Sequence, residues 1–145
     1  SLERKTMIGY IITGHGHFAS GILSALELIM GKQEDLMTVD FPETDTKTEI
    51  ENNLKQAIST LSHCDSIVVF CDLLSGTPFN TAIMEAMNND KIQVVYGTNL
   101  GMLMEMVMMR MQKASQEEIV NKAIETGKNG IGKFEVVQDD DDTDW

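Results

Sequence analysis

Two stretches decide the fold of this chain: Met7-Ile-Gly-Tyr-Ile-Ile-Thr13 followed by Gly14-His15-Gly16-His17, and Ser66-Ile-Val-Val-Phe70 followed by Cys71-Asp72-Leu-Leu-Ser-Gly-Thr-Pro78. Each begins with a short apolar run, which is typical of a buried parallel strand, and passes through a polar loop into a helical pattern. One loop offers an imidazole between two glycines, and the other offers a carboxylate. In open α/β sheets, sites form where the carboxyl ends of neighbouring strands meet, so these loops are expected to form one site.

Apolar runs alternate with amphipathic helical patterns along the rest of the chain, which is the signature of βαβ units. Strands are expected at about Ile8–Thr13, Leu36–Asp40, Ser66–Phe70 and Gln93–Tyr96, with a short last strand at Gly132–Val137. The predicted fold is an α/β three-layer sandwich. Its central, mainly parallel sheet has the strand order 2-1-3-4, in which strands 1 and 3 are neighbours and the switch point lies between them.

Five helices complete this pattern. The first carries one apolar stripe, and the second follows a cap at Thr44 or Asp45. The third begins at Pro78 with Thr77 as its N-cap, the fourth spans about Leu100–Met111, and the fifth spans about Gln116–Thr126 behind Ser115, before Gly127 and Gly130 break the chain. The stripe of the first helix consists of Phe18, Ile22, Leu26 and Ile29.

The length of 145 residues fits one domain, expected over Met7–Val137. Ser1–Thr6 is interpreted as a tag or short extension, and residues 138–145 as an acidic tail. No apolar run reaches the roughly 18 residues of a membrane span, so direct membrane insertion is not expected. The segment after Glu3, Arg4 and Lys5 is too short and too interrupted by glycine for a signal peptide.

The formal net charge is −12, and aspartates of the tail supply five of these negative charges. This balance argues against nucleic acid or an anionic membrane as a partner, and it is compatible with a basic protein partner or simply with a well-solvated surface. The two cysteines, Cys64 and Cys71, are too few for a disulfide framework. A reducing cytoplasm is therefore the predicted location.

His15 is the first candidate for chemistry. Its flanking glycines permit a tight turn and leave the ring approachable, and the start of the following helix favours an anion such as a phosphoryl group nearby. The alternative is a surface histidine without a role. His17 could pair with His15 as a metal ligand, but only Asp72, Cys71 or the distant His63 could complete such a set, so no metal is predicted.

Asp72 is the second candidate, because a carboxylate at the end of strand 3 could orient His15 and fix its tautomer. The alternative is a turn aspartate. Ser75, Gly76 and Thr77 precede Pro78 at a helix start, where hydroxyls and backbone N–H groups could hold an anion or simply cap the helix. Three residues are therefore predicted to surround the phosphoryl group and donate hydrogen bonds to it, and are called the phosphoryl cradle: Gly16, at the start of the first helix, Ser75 and Gly76.

The fourth helix is apolar nearly all round because of six methionines, and such a helix is usually buried. Part of that burial is expected from a second copy of the chain, with packing in the chain's own core as the alternative. The methionines are Met102, Met104, Met106, Met108, Met109 and Met111.

Over nearly all of Met7–Val137, the chain resembles the enzyme IIA domain of the mannose-type family of the bacterial phosphoenolpyruvate-dependent sugar phosphotransferase system. The resemblance rests on the following segments: Thr13-Gly14-His15-Gly16, Gly31-Lys-Gln-Glu34, Asp72, Ser75-Gly-Thr-Pro-Phe-Asn80, Gly97-Thr-Asn-Leu100 and Glu125-Thr-Gly127.

The resemblance implies a flavodoxin-like α/β domain that dimerises by exchanging a C-terminal strand, here an antiparallel edge strand. It implies that His15 accepts a phosphoryl group from the phosphocarrier protein HPr and passes it to an enzyme IIB, for uptake by the membrane components IIC and IID. Asp72 would orient His15, and Thr77 would lie near the phosphoryl group. The chain would thus be a phosphotransferase component without a cofactor, and a Walker-type ATP-binding motif is absent from the sequence.

Two other interpretations remain open at this stage. One is a hydrolase that uses His15 as base and Asp72 as its orienting group, although no Gly-x-Ser-x-Gly nucleophile elbow is present. The other is a non-catalytic flavodoxin-like regulatory or interaction module. The sequence does not identify the sugar, so mannose, a hexosamine and a sugar acid such as gluconate all remain open.

Overall fold

The computed structural model describes residues 6–138; the predicted extension up to Lys5 and the acidic tail from Asp139 lie outside these residues. Four strands and five helices lie within the described range, and they alternate except that the last two helices are consecutive. The strands are β1 (Ile8–Thr13), β2 (Leu36–Val39), β3 (Ser66–Cys71) and β4 (Ile92–Val95). The helices are α1 (Phe18–Met30), α2 (Lys47–Thr60), α3 (Thr77–Met87), α4 (Leu100–Met111) and α5 (Gln116–Asn129).

The four strands form one sheet in the order β2-β1-β3-β4, with every neighbouring pair parallel. The predicted strand order is therefore confirmed. Thr13, the last residue of β1, lies opposite Cys71, the last residue of β3. Because of this register, the loops after β1 and β3 begin next to each other at one edge of the sheet.

Helices cover both faces of the sheet, which gives the predicted three layers. Alternate residues of each strand face opposite sides, so Tyr10 and Phe70 pack under α1, α4 and α5, whereas Ile11 and Val69 pack under α2 and α3. All four side chains are fully buried. The continuously apolar strands are thus explained by burial on both faces.

Three predicted details of the first helices are wrong. The cap of α2 is Thr46, because Asp45 donates its N–H to the Pro42 carbonyl in a turn at 2.9 Å and the helix starts only after it. In α1, Ile29 is 53% exposed, and Met30 packs against the core instead. Helix α3 begins at Thr77, so Gly76 is its N-cap.

Helix α5 runs past the predicted end, because Gly127 lies inside it and is buried. A Cβ at this position would overlap the Cγ and Sδ atoms of Met102, so glycine is needed where α5 crosses α4. Asn99, the N-cap of α4, also donates from Nδ2 to the Gly127 carbonyl at 3.1 Å. Ser115 forms the predicted capping box with Glu118.

The methionine-rich helix α4 mostly covers the chain's own core. Met102 and Met106 are buried there, while Met108 is 46% exposed and Met111 is 74% exposed. After Gly130, residues 131–138 form no strand within the single described chain, and most of their apolar side chains point to solvent. The predicted exchange of this segment concerns a dimer, and it stays a prediction.

Candidate functional site

His15 and Asp72 lie in contact at the carboxyl edge of the sheet. The Nδ1 atom of His15 is 2.8 Å from Oδ2 of Asp72, and the backbone N–H of His15 donates to the same oxygen at 2.9 Å. The histidine side chain is 46% exposed, whereas that of the aspartate is 12% exposed. The site therefore presents an accessible imidazole on a sheltered carboxylate.

Asp72 is held as an anion that can only accept hydrogen bonds. Partial burial alone would raise the pKa of its carboxyl, but donation from the backbone and ring of His15 and from the Leu73 N–H outweighs it and lowers this pKa below its usual range. The Leu73 N–H reaches Oδ1 at 2.8 Å. Because an ionised carboxylate needs a donor, Nδ1 of His15 carries the proton and Nε2 keeps its lone pair.

Two glycines allow this contact. A Cβ on Gly14 would lie 2.7 Å from Cδ2 of Phe18 and 2.8 Å from Cγ of Asp72, so only glycine lets the carboxylate reach the histidine loop. A Cβ on Gly76 would lie 2.7 Å from both Cε1 and Nε2 of His15. The free nitrogen of the ring therefore faces the backbone at the start of α3.

The predicted anion cradle has a defined geometry at this point. Gly76 has φ 94° and ψ 173°, a conformation essentially restricted to glycine, and Thr77 begins α3 directly after it. The first N–H groups of a helix have no acceptor within the helix, so they are available to an anion. Ser75 is exposed just before them. The N–H of Gly16 is not available to an anion, because it donates to the Phe41 carbonyl at 2.8 Å.

Phe41 is a site residue that the sequence reasoning missed. It forms an isolated antiparallel bridge with Gly16, and its N–H returns to the Gly16 carbonyl at 2.9 Å. Its ring meets the His15 ring edge-on at 6.4 Å between centroids. The sequence feature that could have identified Phe41 is its position just after strand 2, since strand 2 neighbours strand 1 in the predicted order.

The other histidines are held elsewhere. His17 lies 3.3 Å from Asp40, whose oxygens also accept from the N–H and hydroxyl of Ser20. His63 contacts Asp35 at the opposite edge of the sheet, with 2.8 Å between Nε2 and Oδ1. Within residues 6–138, His15 and His17, considered above as a possible metal-binding pair, are not among the side chains grouped closely enough to share a metal ion.

Cys71 lies next to Asp72 but is not available as a nucleophile. Its thiol is buried in the core, and this burial, followed by the charge of Asp72, raises its pKa to about 12. The thiolate, which is the reactive form, is therefore negligible at neutral pH. The imidazole of His15, by contrast, is half-exposed, so its Nε2 atom is accessible for chemistry.

Comparison with known proteins identifies the family of this chain. The sequence model of the PTS system fructose IIA component family, EIIA-man, matches residues 9–124. The chain belongs to this family. It is thus an EIIA component of sugar phosphotransferase systems, as the resemblance implied.

Relatives of this EIIA chain span several sugar systems. It is 32% identical over 125 residues to the PTS system mannose-specific EIIAB component of Escherichia coli (strain K12), an alignment that covers 86% of this chain but 38% of that protein. It is 25% identical over 115 residues to the fructose-specific EIIA component of Bacillus subtilis (strain 168), with 79% of each chain covered.

The fold of this EIIA chain also matches solved structures. The crystal structure of phosphotransferase system component EIIA from Streptococcus agalactiae superimposes with a TM-score of 0.80 at 36% identity, covering 88% of this chain and 97% of that one. The mannose/sorbose specific IIA subunit from Enterococcus faecalis, at 22% identity and a TM-score of 0.77, shares the fold. Among residues 6–138, no helix has the length and apolar character needed to cross a bilayer.

Proposed function

We propose that this EIIA chain is a cytoplasmic phosphocarrier that accepts a phosphoryl group from HPr on His15 and passes it to an enzyme IIB. The contact between Asp72 and Nδ1 of His15 carries the proposal, because it leaves Nε2 unprotonated, half-exposed and directed at a helix start. A neutral imidazole nitrogen with its lone pair free is a competent nucleophile near pH 7.

The proposed transfer needs no water and no external base. The lone pair of Nε2 attacks phosphorus, the bond between phosphorus and the donor atom of HPr breaks, and its electron pair returns to that atom. The proton on Nδ1 stays hydrogen-bonded to Asp72, whose negative charge stabilises the positive charge that develops on the ring. Transfer to enzyme IIB reverses these events with a new acceptor.

The incoming phosphoryl oxygens would meet donors at the start of α3. Gly76 faces the Cε1–Nε2 side of the ring, so the candidate donors are the backbone N–H groups at the start of α3, where Pro78 supplies none, and the hydroxyls of Ser75 and Thr77. Phosphoryl transfer depends mainly on positioning and on stabilising charge, which a helix N-terminus supplies. Gly16 contributes instead through its bridge to Phe41, which holds the histidine loop against the next loop.

The surface of this chain that faces HPr would be apolar near His15 and acidic at its rim. Leu73 and Leu74, directly after Asp72, are 54% and 58% exposed, which supports an apolar contact around the site. The net charge of −12 supports electrostatic attraction of a basic partner. Successive phosphoryl partners must leave quickly, so a small apolar centre with charged surroundings suits a transient complex.

We also propose a homodimer in which residues after Gly130 pair with an edge of the partner's sheet. Strand β4 is an edge of the four-stranded sheet and presents unpaired backbone groups. Phe134, Val136 and Val137 are each at least 80% exposed in the single chain. Pairing would satisfy the backbone of both segments and cover these side chains. The exposed Met108 and Met111 are further candidates for the interface.

The test is phosphorylation with phosphoenolpyruvate, enzyme I and HPr, followed by intact mass and acid lability. We expect one acid-labile phosphate that is lost in His15→Ala and retained in the matched variants His17→Ala and His63→Ala. Undiminished phosphate on His15→Ala would overturn the assignment. A wild-type protein that takes up no phosphate would favour a regulatory module instead. Transfer onward to enzyme IIB partners of mannose, hexosamine and gluconate type would then identify the sugar system.

A further inference from the structure

A second cluster of reactive side chains lies at the amino edge of the sheet, away from His15. Asp35 precedes β2, while His63 and Cys64 precede β3. One carboxylate oxygen, one imidazole nitrogen and the thiol sulfur of these residues all lie within 4.8 Å of one another. Nothing in the proposed phosphoryl transfer uses these groups.

The two loops that carry this cluster are anchored on the same strand. The Asp35 carbonyl accepts the N–H of Tyr10 at 2.8 Å. The sulfur of Cys64 packs so closely on Gly9 that a Cβ there would lie 3.1 Å from it. Both loops are therefore anchored on β1, which brings the three side chains together before anything binds.

The donor types and exposure of the cluster suit a cation. The His63 imidazole lies against the Asp35 carboxylate, with 2.8 Å between Nε2 and Oδ1, and the Cys64 sulfur completes the group. A thiol coordinates as the thiolate, so binding would release the Cys64 thiol proton to solvent. Cys64 is 4% exposed, whereas the His63 side chain is 50% exposed, so the cluster opens to solvent on one side.

We propose that Asp35, His63 and Cys64 form a binding site for a divalent cation of the zinc class. The mixed oxygen, nitrogen and sulfur donors suit zinc, whereas calcium and magnesium prefer oxygen alone. Ligand atoms around tetrahedral zinc lie roughly 3.3–3.8 Å apart, from bond lengths of about 2.0–2.3 Å, so three groups already within 4.8 Å of one another can reach one ion by small side-chain movements. Solvent water completes the coordination on the side of His63.

The bound cation would join the loop before β2 to the loop before β3. The Asp35–His63 contact of 2.8 Å opens, and both groups turn their lone pairs to the metal. Because the cation binds the folded chain, it stabilises that state by an amount that rises with the logarithm of the free cation concentration once this exceeds the dissociation constant. The phosphorylation site lies at the other edge of the sheet, so binding is not expected to need His15.

Cobalt(II) tests this site, since a cobalt–thiolate bond gives an intense near-ultraviolet charge-transfer band. We expect reduced protein to develop this band with one equivalent of Co²⁺, and Zn²⁺ to displace it. Cys64→Ser should abolish the band and weaken Zn²⁺ binding by more than about a hundredfold, beyond the effect of losing an outer-sphere partner. The matched variant Cys71→Ser removes the other buried thiol and should keep the band.

His63→Gln provides a second test at a half-exposed position where folding is not at risk, with His17→Gln as its control. We expect Zn²⁺ to raise the thermal midpoint of wild type and His17→Gln but not of His63→Gln. A cobalt band that persists in Cys64→Ser, or zinc affinity unchanged in His63→Gln, would overturn the proposal. So would the absence of any band in the wild type, which would leave an ion pair beside a core cysteine.

Discussion

Replacing Gly76 with alanine tests how closely the structure holds the reactive ring. The new Cβ would lie 2.7 Å from Cε1 and Nε2 of His15. Non-bonded carbon atoms prefer separations of about 3.5–4.0 Å, so the ring must move by about 1 Å. Misplacement by this distance can lower a rate by about a hundredfold. We therefore expect Gly76→Ala to take phosphate from HPr about a hundred times more slowly than wild type.

The same substitution also strains the backbone, and a control has to separate the two effects. Gly76 has φ 94° and ψ 173°, and alanine in this region costs about 1–3 kcal/mol. Gly31, at the end of α1, has nearly the same conformation, φ 81° and ψ 175°, and the space that a Cβ would take there is open to 4 Å. Gly31→Ala should thus lose similar stability while keeping the wild-type transfer rate.

Two measurements decide this comparison. Urea unfolding gives the free energy of unfolding of each variant, and rapid-quench phosphorylation at a temperature where both are folded gives the rate. If Gly76→Ala transferred phosphate as fast as Gly31→Ala, the close approach of Gly76 to His15 would have no bearing on catalysis. A slow Gly31→Ala would mean that stability, not the position of the ring, limits the rate.

Four further predictions concern other parts of the molecule. Asp72→Asn should keep the fold and slow transfer. Because folding lowers the pKa of Asp72, its contribution to stability is present above the ordinary carboxyl value of 3.8 and is lost as pH falls below it. The free energies of unfolding of wild type and variant, measured in urea, should therefore converge in acid. Asn99→Ala removes the N-cap of α4 and its link to α5, and should lower the free energy of unfolding by about 1–2 kcal/mol. The association rate with HPr in stopped flow should fall as salt rises, and a rate indifferent to salt would argue against electrostatic steering. Light scattering should find a dimer at micromolar concentration and weaker dimerisation after truncation at Gly130; a monomeric full chain would contradict the exchange.

The strands were predictable because burial on both faces leaves a direct record in the sequence, as in the apolar run Ile67–Phe70. Their order, 2-1-3-4, is the one assumed for a doubly wound α/β fold, and it brings the loops together. The pairing of His15 with Asp72 followed from that order, since both residues come just after neighbouring strands. Contacts set by adjacent strand ends can be inferred from local patterns alone.

What could not be predicted depends on packing between distant segments. The place of Phe41 after strand 2 puts it near the site, but its contact with the His15 ring depends on the bridge to Gly16, which no local pattern indicates. Gly127 resembles a helix stop, but tertiary contact with Met102 makes it an internal crossing point. The N-cap of α2 was predicted at Thr44 or Asp45 instead of Thr46, because the turn in which the Asp45 N–H donates to the Pro42 carbonyl was not recognised in the sequence.

The register of β1 against β3 has a consequence for how this chain can change. Thr13 lies opposite Cys71, so His15 and Asp72 each lie within two residues of a paired position. Adding or deleting one residue in β3 turns every later side chain to the other face and carries the carboxylate away from the imidazole. Insertions between α2 and β3 leave that alignment intact. Length variation is therefore expected to be tolerated before these strands and not within them, even where a shifted strand would still fill the core.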